Sequence, residues 1–331
     1  MIRAATIAAA ILTGASPISA ADWMLQPVPT VGPIKTIETV DGEPAIAIGN
    51  GWFRIIADNN RARLVATAGP PQRPLPDGAL PDGRVAEGAR GIARAWLADP
   101  TNRYDHGVLG DAIEAGSVVV ERRDRRREVV QLSPDAVFED LQPRIADLGD
   151  GGDKILVVKS YLGRGSALAV IGERDGKYAI IAETPPIGAP NRWLNPAGVA
   201  DFNGDGTVDI ALVRMPHALG RLELWSWRGG QLEKTQELAD VSNHVIGSRA
   251  LRMSAVADFD GDGHPDLAIA SFDRRELRII GFAPKMRDIA RIALPARAVT
   301  DFSLVKDGVG HPAVLLGLDN GALVMARRAA R

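Results

Sequence analysis

Short apolar runs separated by turn residues recur along most of the chain. The clearest set lies between residues 33 and 69, with runs at 34–40, 44–49, 52–57 and 62–68. The segments between these runs are rich in Gly, Asn and Asp. Apolar runs of this length with such residues between them predict β-strands joined by tight turns. We therefore expect an all-β protein.

The strand pattern repeats about every 50 residues, which is typical of a β-propeller with four-stranded blades. Five further units follow the first, at 91–132, 143–183, 197–238, 251–294 and 296–327. This predicts six blades in a single domain over residues 22–331, with five or seven blades as alternatives. The last unit lacks an outer strand, and we expect residues 22–27 to supply it and close the ring. A β-sandwich has similar strand counts, but repeated loop chemistry favours the propeller.

The second and last units have weaker patterns than the others. We interpret the Pro/Gly-rich stretch 70–88 as an insertion before the second unit. The expected strands of that unit are 93–98, 107–112, 117–121 and 128–132, with 99–106 as its first loop. In the last unit we expect a first strand at 298–302, followed by a degenerate acidic loop that begins at Asp301.

The first 21 residues predict a signal peptide. Arg3 precedes the apolar stretch Ala4–Leu12, and small residues end the segment at Ser19-Ala20-Ala21. This arrangement is typical of secretory signals, although an Ala-rich disordered tail is the alternative. No later stretch has the 18 or more apolar residues of a membrane span. We expect an exported protein, located in the periplasm or outside the cell.

Two acid-rich loops share one residue pattern. Val199–Met215 reads VADFNGDGTVDIALVRM, and Val256–Phe272 reads VADFDGDGHPDLAIASF. Side-chain oxygens at alternate positions, with Gly in the turn, suit a hard cation such as Ca²⁺. The candidate donors are Asp201, Asn203, Asp205 and Asp209, and then Asp258, Asp260, Asp262 and Asp266. An Asp/Asn/Gly turn without metal is the alternative, but carboxylates packed so closely repel one another unless a cation is bound.

DFNGDGTVD and DFDGDGHPD in these loops resemble the FG-GAP or VCBS repeat family. This is the calcium-loop repeat of integrin alpha-subunit propellers and of many exported bacterial proteins. The resemblance implies a propeller and two Ca²⁺ sites, and it adds the backbone carbonyls of Thr207 and His264 to the side-chain ligands. The Asp147–Asp153 loop is a doubtful third site, because it is two residues shorter and has Gly149 where a ligand belongs.

A second group of candidates lies at the opposite ends of the predicted strands. In a propeller, the links between blades and between second and third strands lie on the face away from the acidic loops. Their polar and aromatic residues include Tyr161, Arg164, Asn191, Arg192, Trp193, Asn195, His217, Asn243, His244 and Arg249. One interpretation is a funnel for an anionic ligand, a sugar or a protein partner. The other is that Trp193 covers the core while the Asn side chains satisfy buried backbone groups.

The composition of the chain reduces the number of functions that we need to consider. The net charge of −2 argues against a non-specific nucleic-acid binder, and the absence of Cys excludes disulfides and thiolate catalysis. We find no nucleophile or metalloprotease motif, and we therefore assign no catalytic residue. Our leading hypothesis is a monomeric calcium-binding module for a protein or other ligand, with structural metal. A hydrolase or lyase acting on sugars or phosphoesters, and a lectin-like glycan binder, are the alternatives.

Overall fold

A computed structural model describes residues 22–40, 42–58 and 61–329 of the chain. These residues form 25 β-strands and no α-helix, which confirms the all-β class. Among them, no helix has the length and apolar character needed to cross a membrane. The predicted signal peptide, residues 1–21, lies outside the described residues.

The first sheet follows the apolar pattern of the sequence closely. After β1 (Trp23–Val28), its strands are β2 (Ile34–Val40), β3 (Glu43–Ile48), β4 (Gly51–Asp58) and β5 (Arg61–Thr67). They lie side by side in chain order and are antiparallel. Ile37 and Ile46 point into the core at 1% and 0% exposure. The four runs identified between residues 33 and 69 are therefore four strands.

The next nine strands form one continuous sheet. They are β6 (Ala86–Glu87), β7 (Ile92–Thr101), β8 (Glu114–Arg122), β9 (Arg127–Gln131), β10 (Ala136–Phe138), β11 (Arg144–Asp147), β12 (Asp153–Tyr161), β13 (Gly165–Arg174) and β14 (Lys177–Glu183). β6 to β9 pair in order, and so do β11 to β14. The short strand β10 pairs with both β8 and β12, so it joins two groups of four strands.

The structure corrects our assignment of the second unit. Its first strand is Ala86–Glu87, inside the stretch that we interpreted as an insertion. Residues 107–112 are not a strand, and β7 extends from Ile92 to Thr101. Residues 102–113 therefore link the second and third strands, not the first and second. A two-residue strand has too few positions for alternation to reveal it.

Two four-stranded sheets follow. The first has β15 (Leu194–Ala200), β16 (Asp209–Arg214), β17 (Arg221–Arg228) and β18 (Gln231–Leu238), and the second has β19 (Ser254–Ala257), β20 (Asp266–Ala270), β21 (Glu276–Gly281) and β22 (Arg287–Ala293). Both are antiparallel and lie in chain order. In each sheet, an acid-rich loop joins the first strand to the second.

The last sheet brings the two ends of the described chain together. Its order is β23 (Ser303–Lys306), β24 (Pro312–Gly317), β25 (Leu323–Arg328) and then β1. Trp23–Val28 pairs in antiparallel register with Leu323–Arg328, and this outer position is the one proposed for residues 22–27. The expected first strand at 298–302 was wrong, because the strand begins at Ser303.

The turn of this last sheet is consequently displaced from Asp301. Asp307 accepts hydrogen bonds from the backbone N–H groups of Val309 and His311 at 3.0 and 2.9 Å. Asp301 lies before β23 and accepts a hydrogen bond from the Arg252 N–H at 2.8 Å. Asp301 therefore tethers the start of one sheet to its neighbour and does not form a turn.

Burial is greatest in the middle strands of the sheets and lower in the outer strands. Residues 155–158 of β12 and 210–213 of β16 are 0–1% exposed, as expected for strands covered on both faces. The outer strand β18 is exposed at most positions. The apolar core therefore lies between sheets, and loops at both ends of the strands remain available for binding.

Candidate metal loops and the opposite surface

The two acidic loops have the same hydrogen-bond geometry. In the first, the Asp201 carboxylate accepts the N–H groups of Gly204 and Gly206, both at 2.9 Å. In the second, Asp258 accepts those of Gly261 and Gly263 at 2.6 and 3.0 Å. These bonds curl both loops in the same way.

Positive backbone φ angles make Gly necessary in this curl. Gly204 and Gly206 have φ of 72° and 82°, and Gly261 and Gly263 have 80° and 90°. Such angles disfavour side chains other than hydrogen. A Cβ atom on Gly204 would also lie 2.3 Å from the ring of His264. The two loops are therefore in contact with each other at the same end of neighbouring sheets.

The last Asp of each loop is buried at the start of the second strand. Asp209 is 0% exposed and bonds to the Phe202 N–H and the Ser226 hydroxyl. Asp266 is 2% exposed and accepts the Phe259 N–H at 2.8 Å. Burial, aided by nearby acids, raises the pKa of Asp266 to about 7. These buried carboxylates anchor the loop to its sheet.

The second loop concentrates negative charge without a cationic partner. The carboxylates of Asp258, Asp260 and Asp262 offer oxygens that all lie within 4.8 Å of one another. Burial raises the pKa of Asp260, and the ion pairs formed by the described residues include none of the three. This oxygen-only donor set fits the coordination preference of Ca²⁺.

The first loop differs in one respect. The Arg228 guanidinium donates to Asp205 at 2.6 Å, and the bond to the Thr207 N–H followed by this Arg holds the pKa of Asp205 below its usual value. From the strand registers, the position that corresponds to Arg228 in the next sheet is Ala283. The first loop thus contains a cation of its own chain, whereas none of the ion pairs formed by the described residues includes Asp258, Asp260 or Asp262.

The shorter Asp147–Asp153 loop is held by groups of the chain. Arg90 pairs with Asp147 at 2.5 Å, and Lys154 pairs with Asp150 at 2.6 Å. Asp153 accepts the backbone N–H groups of Arg90 and Ile92. These contacts supply the counter-charges that a metal would otherwise provide.

The loops at the other strand ends also come together. We call residues 102–113, 162–164, 184–193, 215–220 and 239–253 the distal surface. The Asn191 N–H donates to the Tyr104 hydroxyl at 3.1 Å, and the Gly247 N–H donates to the Val108 carbonyl at 2.9 Å. The 102–113 segment therefore crosses from its own sheet to loops of two others.

Three of the predicted distal residues form one packed cluster. Trp193 is 2% exposed and stacks on His217, with ring planes 3° apart. His217 Nε2 lies 2.9 Å from His244 Nδ1, and His244 Nε2 lies 2.9 Å from the Ser248 carbonyl. Because a carbonyl can only accept, His244 carries its proton on Nε2, and His217 donates to it.

Both histidines are neutral in the folded protein. Burial lowers the pKa of His217 to about 4, with smaller effects from Arg274 and His106. Burial lowers the pKa of His244 to about 3, and the neighbouring His217 adds to this. With Trp193, they cover the end of the core, and the prediction that His217 and His244 contact a ligand stays a prediction.

Asn195 and Asn243 are buried and pair with backbone groups. Asn195 Nδ2 donates to the carbonyls of Asn243 and Leu251, and Asn243 Nδ2 donates to those of Asn195 and Pro196. Both side chains are 0% exposed. They hold β15 to the segment before β19, and they do not face a binding partner.

The remaining predicted residues reach the solvent. Arg164, Asn191, Arg192 and Arg249 are exposed, and Tyr161 is half-buried. The Arg164 guanidinium lies 3.9 Å from the Tyr161 ring centre, and the Tyr161 hydroxyl donates to Glu183 at 2.6 Å. This arrangement gives the distal surface an accessible cationic and aromatic rim.

Our sequence analysis missed a buried polar group beneath the 102–113 segment. His106 Nδ1 contacts Glu139 Oε1, and the hydroxyls of Ser160 and Ser166 donate to Glu139 Oε2. Burial raises the pKa of Glu139, which is 0% exposed. The adjacent acids Glu139 and Asp140, which lie between apolar strands, could have indicated this group in the sequence. Only the pairing of β10 with its neighbours, however, brings Glu139 close to His106.

Comparisons with known proteins are consistent with the repeat. No curated protein matches the chain. Two crystal structures of BBS1N in complex with ARL6DN, one soaked with mercury and one with lead, are among the solved structures that match the chain. Their TM-scores are 0.43 and 0.40 at 14% and 12% identity, with 93% of this chain and 97% of each of those chains covered. Residues 201–269, which contain both acidic loops, match the model of the FG-GAP-like repeat, and this match confirms the resemblance to the FG-GAP-like repeat family.

Proposed function

We propose that the chain is an exported β-propeller, stabilised by calcium, that binds a protein partner through its distal surface. The convergence of Asp258, Asp260 and Asp262 in an FG-GAP-like repeat supports the proposed binding of calcium. The rim formed by Arg164, Tyr161 and Arg192 supports the proposed binding of a partner.

Six groups of four strands support a six-bladed ring. Neighbouring groups contact one another through β9 and β14, β13 and β15, β15 and β19, β19 and β23, and β23 and β3. Between the first two groups, the Arg84 guanidinium lies 3.1 Å from Glu38. With β1 completing the last group, the strand order is that of a propeller closed by its two chain ends.

In this proposal the calcium is structural. Asp258, Asp260, Asp262 and Asp266, with the His264 carbonyl, would hold one ion, and Asp201, Asn203, Asp205, Asp209 and the Thr207 carbonyl would hold another. The ion neutralises loop carboxylates that otherwise repel one another. A fixed loop then positions the first two strands of its blade.

We expect calcium to stabilise the folded chain by about 3 kcal/mol when it is present at 100 times its dissociation constant. Thermal unfolding with calcium and with chelator measures this difference. Asp266→Ala should remove most of the response, whereas Asp209→Ala should leave the second loop responsive. An unchanged melting temperature after chelation would refute the calcium proposal.

The variant Arg228→Ala provides a second test in the same titration, and Arg221→Ala is its matched control. The Arg228 guanidinium donates a hydrogen bond to Asp205. Arg228→Ala should therefore strengthen calcium binding by the first loop by roughly tenfold, because it removes one competing charge contact. Arg221→Ala removes an ion pair from the same strand, to Glu237, at a distance from the loop. It should leave calorimetric calcium binding unchanged, and equal effects of the two variants would contradict the role of Arg228.

The partner is expected to contact the distal rim. A photo-crosslinking residue placed at Arg164 or Arg192 should capture one defined protein in the producing cell. The same residue at Lys234, on the outer strand β18, serves as the control. Capture from Lys234 with equal yield, or no capture from the rim, would reject the distal surface as the binding face.

A further inference from the structure

Arg274 has a buried nitrogen atom without a partner. It lies in the turn 271–275, which joins β20 to β21 at the same end of the strands as the distal surface. Its Nε atom is buried, and no group of the described residues forms a hydrogen bond with it. Among the described residues, no ion pair includes the Arg274 guanidinium either. An unpaired buried polar group is costly, so its retention at this position requires an explanation.

Hydrogen bonds fix the backbone of this turn. Arg274 has a φ of 61°, which is uncommon for a residue with a Cβ atom, and its N–H donates to the Ser271 carbonyl at 2.9 Å. The Arg274 carbonyl accepts the Ala298 N–H, also at 2.9 Å. These bonds hold Arg274 beside the segment that leads into the last sheet, so its position does not depend on its side chain finding a partner.

The acids around Arg274 have other partners. Asp273 accepts a hydroxyl group and a backbone N–H of its own turn at 2.7 and 3.0 Å. Asp319 accepts the Arg297 N–H at 3.1 Å, and Arg297 Nη1 lies 4.0 Å from its carboxylate. Burial, and then the charge of Arg297, lowers the pKa of Arg274. The chain thus places a second cation next to Arg274 and leaves the charge of Arg274 unpaired.

Two exposed apolar side chains lie beside the same turn. Phe272 is 38% exposed and Leu219 is 42% exposed. A Cβ atom on Gly220 would lie 2.4 Å from the Phe272 ring, so the turn 271–275 packs directly against the 215–220 segment of the distal surface. Exposed apolar side chains next to an unpaired cation suit a partner segment that carries an apolar side chain beside an acidic one.

We propose that Arg274 binds a carboxylate group of the protein partner, carried by an acidic residue whose apolar neighbour packs on Phe272 and Leu219. This inference rests on the proposed function, because it names the chemistry of the partner that binds the distal surface. A guanidinium group presents its N–H donors in a planar fork that matches the two oxygens of a carboxylate. A carboxylate at this position also balances the charges of Arg274 and Arg297.

The test uses the full chain at pH 7.5 with constant calcium, and the peptide acetyl-Gly-Leu-Glu-Gly-amide as the probe. NMR titration measures the affinity. Arg274→Gln should weaken binding roughly tenfold, because one charge contact is lost. Arg275→Gln is the matched control and should leave the affinity unchanged, since Arg275 lies in the same turn and is exposed. The Arg274 Nε–H signal, assigned by its loss in Arg274→Gln, should shift when the peptide binds.

Thermal unfolding without peptide separates binding from a purely structural role of Arg274. A structural role requires that Arg274→Gln lower the melting temperature. We expect the melting temperature of this variant to equal or exceed that of the unaltered chain, because the substitution removes a partly buried cation that has no partner. A lower melting temperature together with unchanged peptide affinity would overturn the inference.

Two further ligands decide the chemistry. The peptide acetyl-Gly-Leu-Gln-Gly-amide lacks the charge and should bind roughly tenfold more weakly. Equal binding of the two peptides, or an Arg274 signal that the Glu peptide does not shift, would overturn the inference. Acetate that binds as tightly as the Glu peptide would overturn the assignment to a protein segment. All arms omit the cellular partner, so a negative result here is separate from failed crosslinking at the rim.

Discussion

Raising the pH from 6.5 to 8.5 is expected to lower the free energy of unfolding by about 3 kcal/mol. The reason is Glu114, because burial raises its folded-state pKa to about 10 from an ordinary value of 4.5. Between these values the folded chain retains a proton that the unfolded chain releases, so stability falls by about 1.4 kcal/mol for each pH unit. The groups that face Glu114 are Glu139, Asp111, Asp82 and Asp140, with Arg249, Arg144 and His106 around them.

The histidines act with the opposite sign on the acid side of the profile. Burial lowers the folded-state pKa of His217 to about 4 and that of His244 to about 3, from an ordinary value of 6.5. Below pH 6.5 the unfolded chain binds protons that the folded chain does not, and stability is lost as the pH falls. Glu114 and Asp266, whose pKa is raised to about 7, change stability in the opposite direction over this range, so we expect the acid side of the profile to be flatter than the alkaline side.

Urea unfolding at several pH values, with calcium constant, measures this profile. Glu114→Gln should remove a loss of about 1.4 kcal/mol per pH unit from the whole range between pH 4.5 and 10, which flattens the alkaline side of the profile. Glu233→Gln is the control, because the Glu233 side chain is 63% exposed. An alkaline slope that persists in Glu114→Gln would show that another group causes it.

Removal of residues 1–28 is expected to prevent stable folding. This truncation removes β1, which pairs along its whole length with β25. It also removes the buried side chains of Trp23 and Val28, of which Trp23 packs edge-on against Phe259 of the next sheet. Loss of several buried apolar side chains costs about 5 kcal/mol, which is comparable to the total stability of many proteins.

Removal of residues 1–21 alone is the matched control. It retains β1 and the bond from the Ala329 N–H to the Asp22 carbonyl, and it should leave the melting temperature unchanged. Circular dichroism and urea unfolding of the two truncated chains provide the measurement. A chain without residues 1–28 that unfolds at the same urea concentration as the control would contradict the role of β1.

Much of the fold follows from local patterns. Strands β2 to β5 and β15 to β22 lie in or near the runs that apolar residues and turn residues indicate. The curl of the acidic loops is also local, because their side-chain oxygens accept backbone N–H groups two to seven positions away. Such contacts depend on spacing along the chain, and a sequence motif can represent them.

The errors occur where distant segments decide the structure. Ala86–Glu87 is a strand only because β7 lies beside it. Ser303, not Ala298, begins β23, since residues 303–306 pair with residues 312–315. In both cases apolar residues near the true strand suggested a different boundary, and the pairing partner determined the outcome.

The sequence by itself determined the all-β class, the repeat and the two acid-rich loops. Only the tertiary structure decided that the Arg228 guanidinium donates to Asp205, and that Glu139 meets His106 beneath the 102–113 segment. The physical reason is the distance along the chain between the residues that interact. Loop curling depends on hydrogen bonds between near neighbours, whereas burial and opposed charges depend on which strands are paired, and pairing is a property of the whole chain.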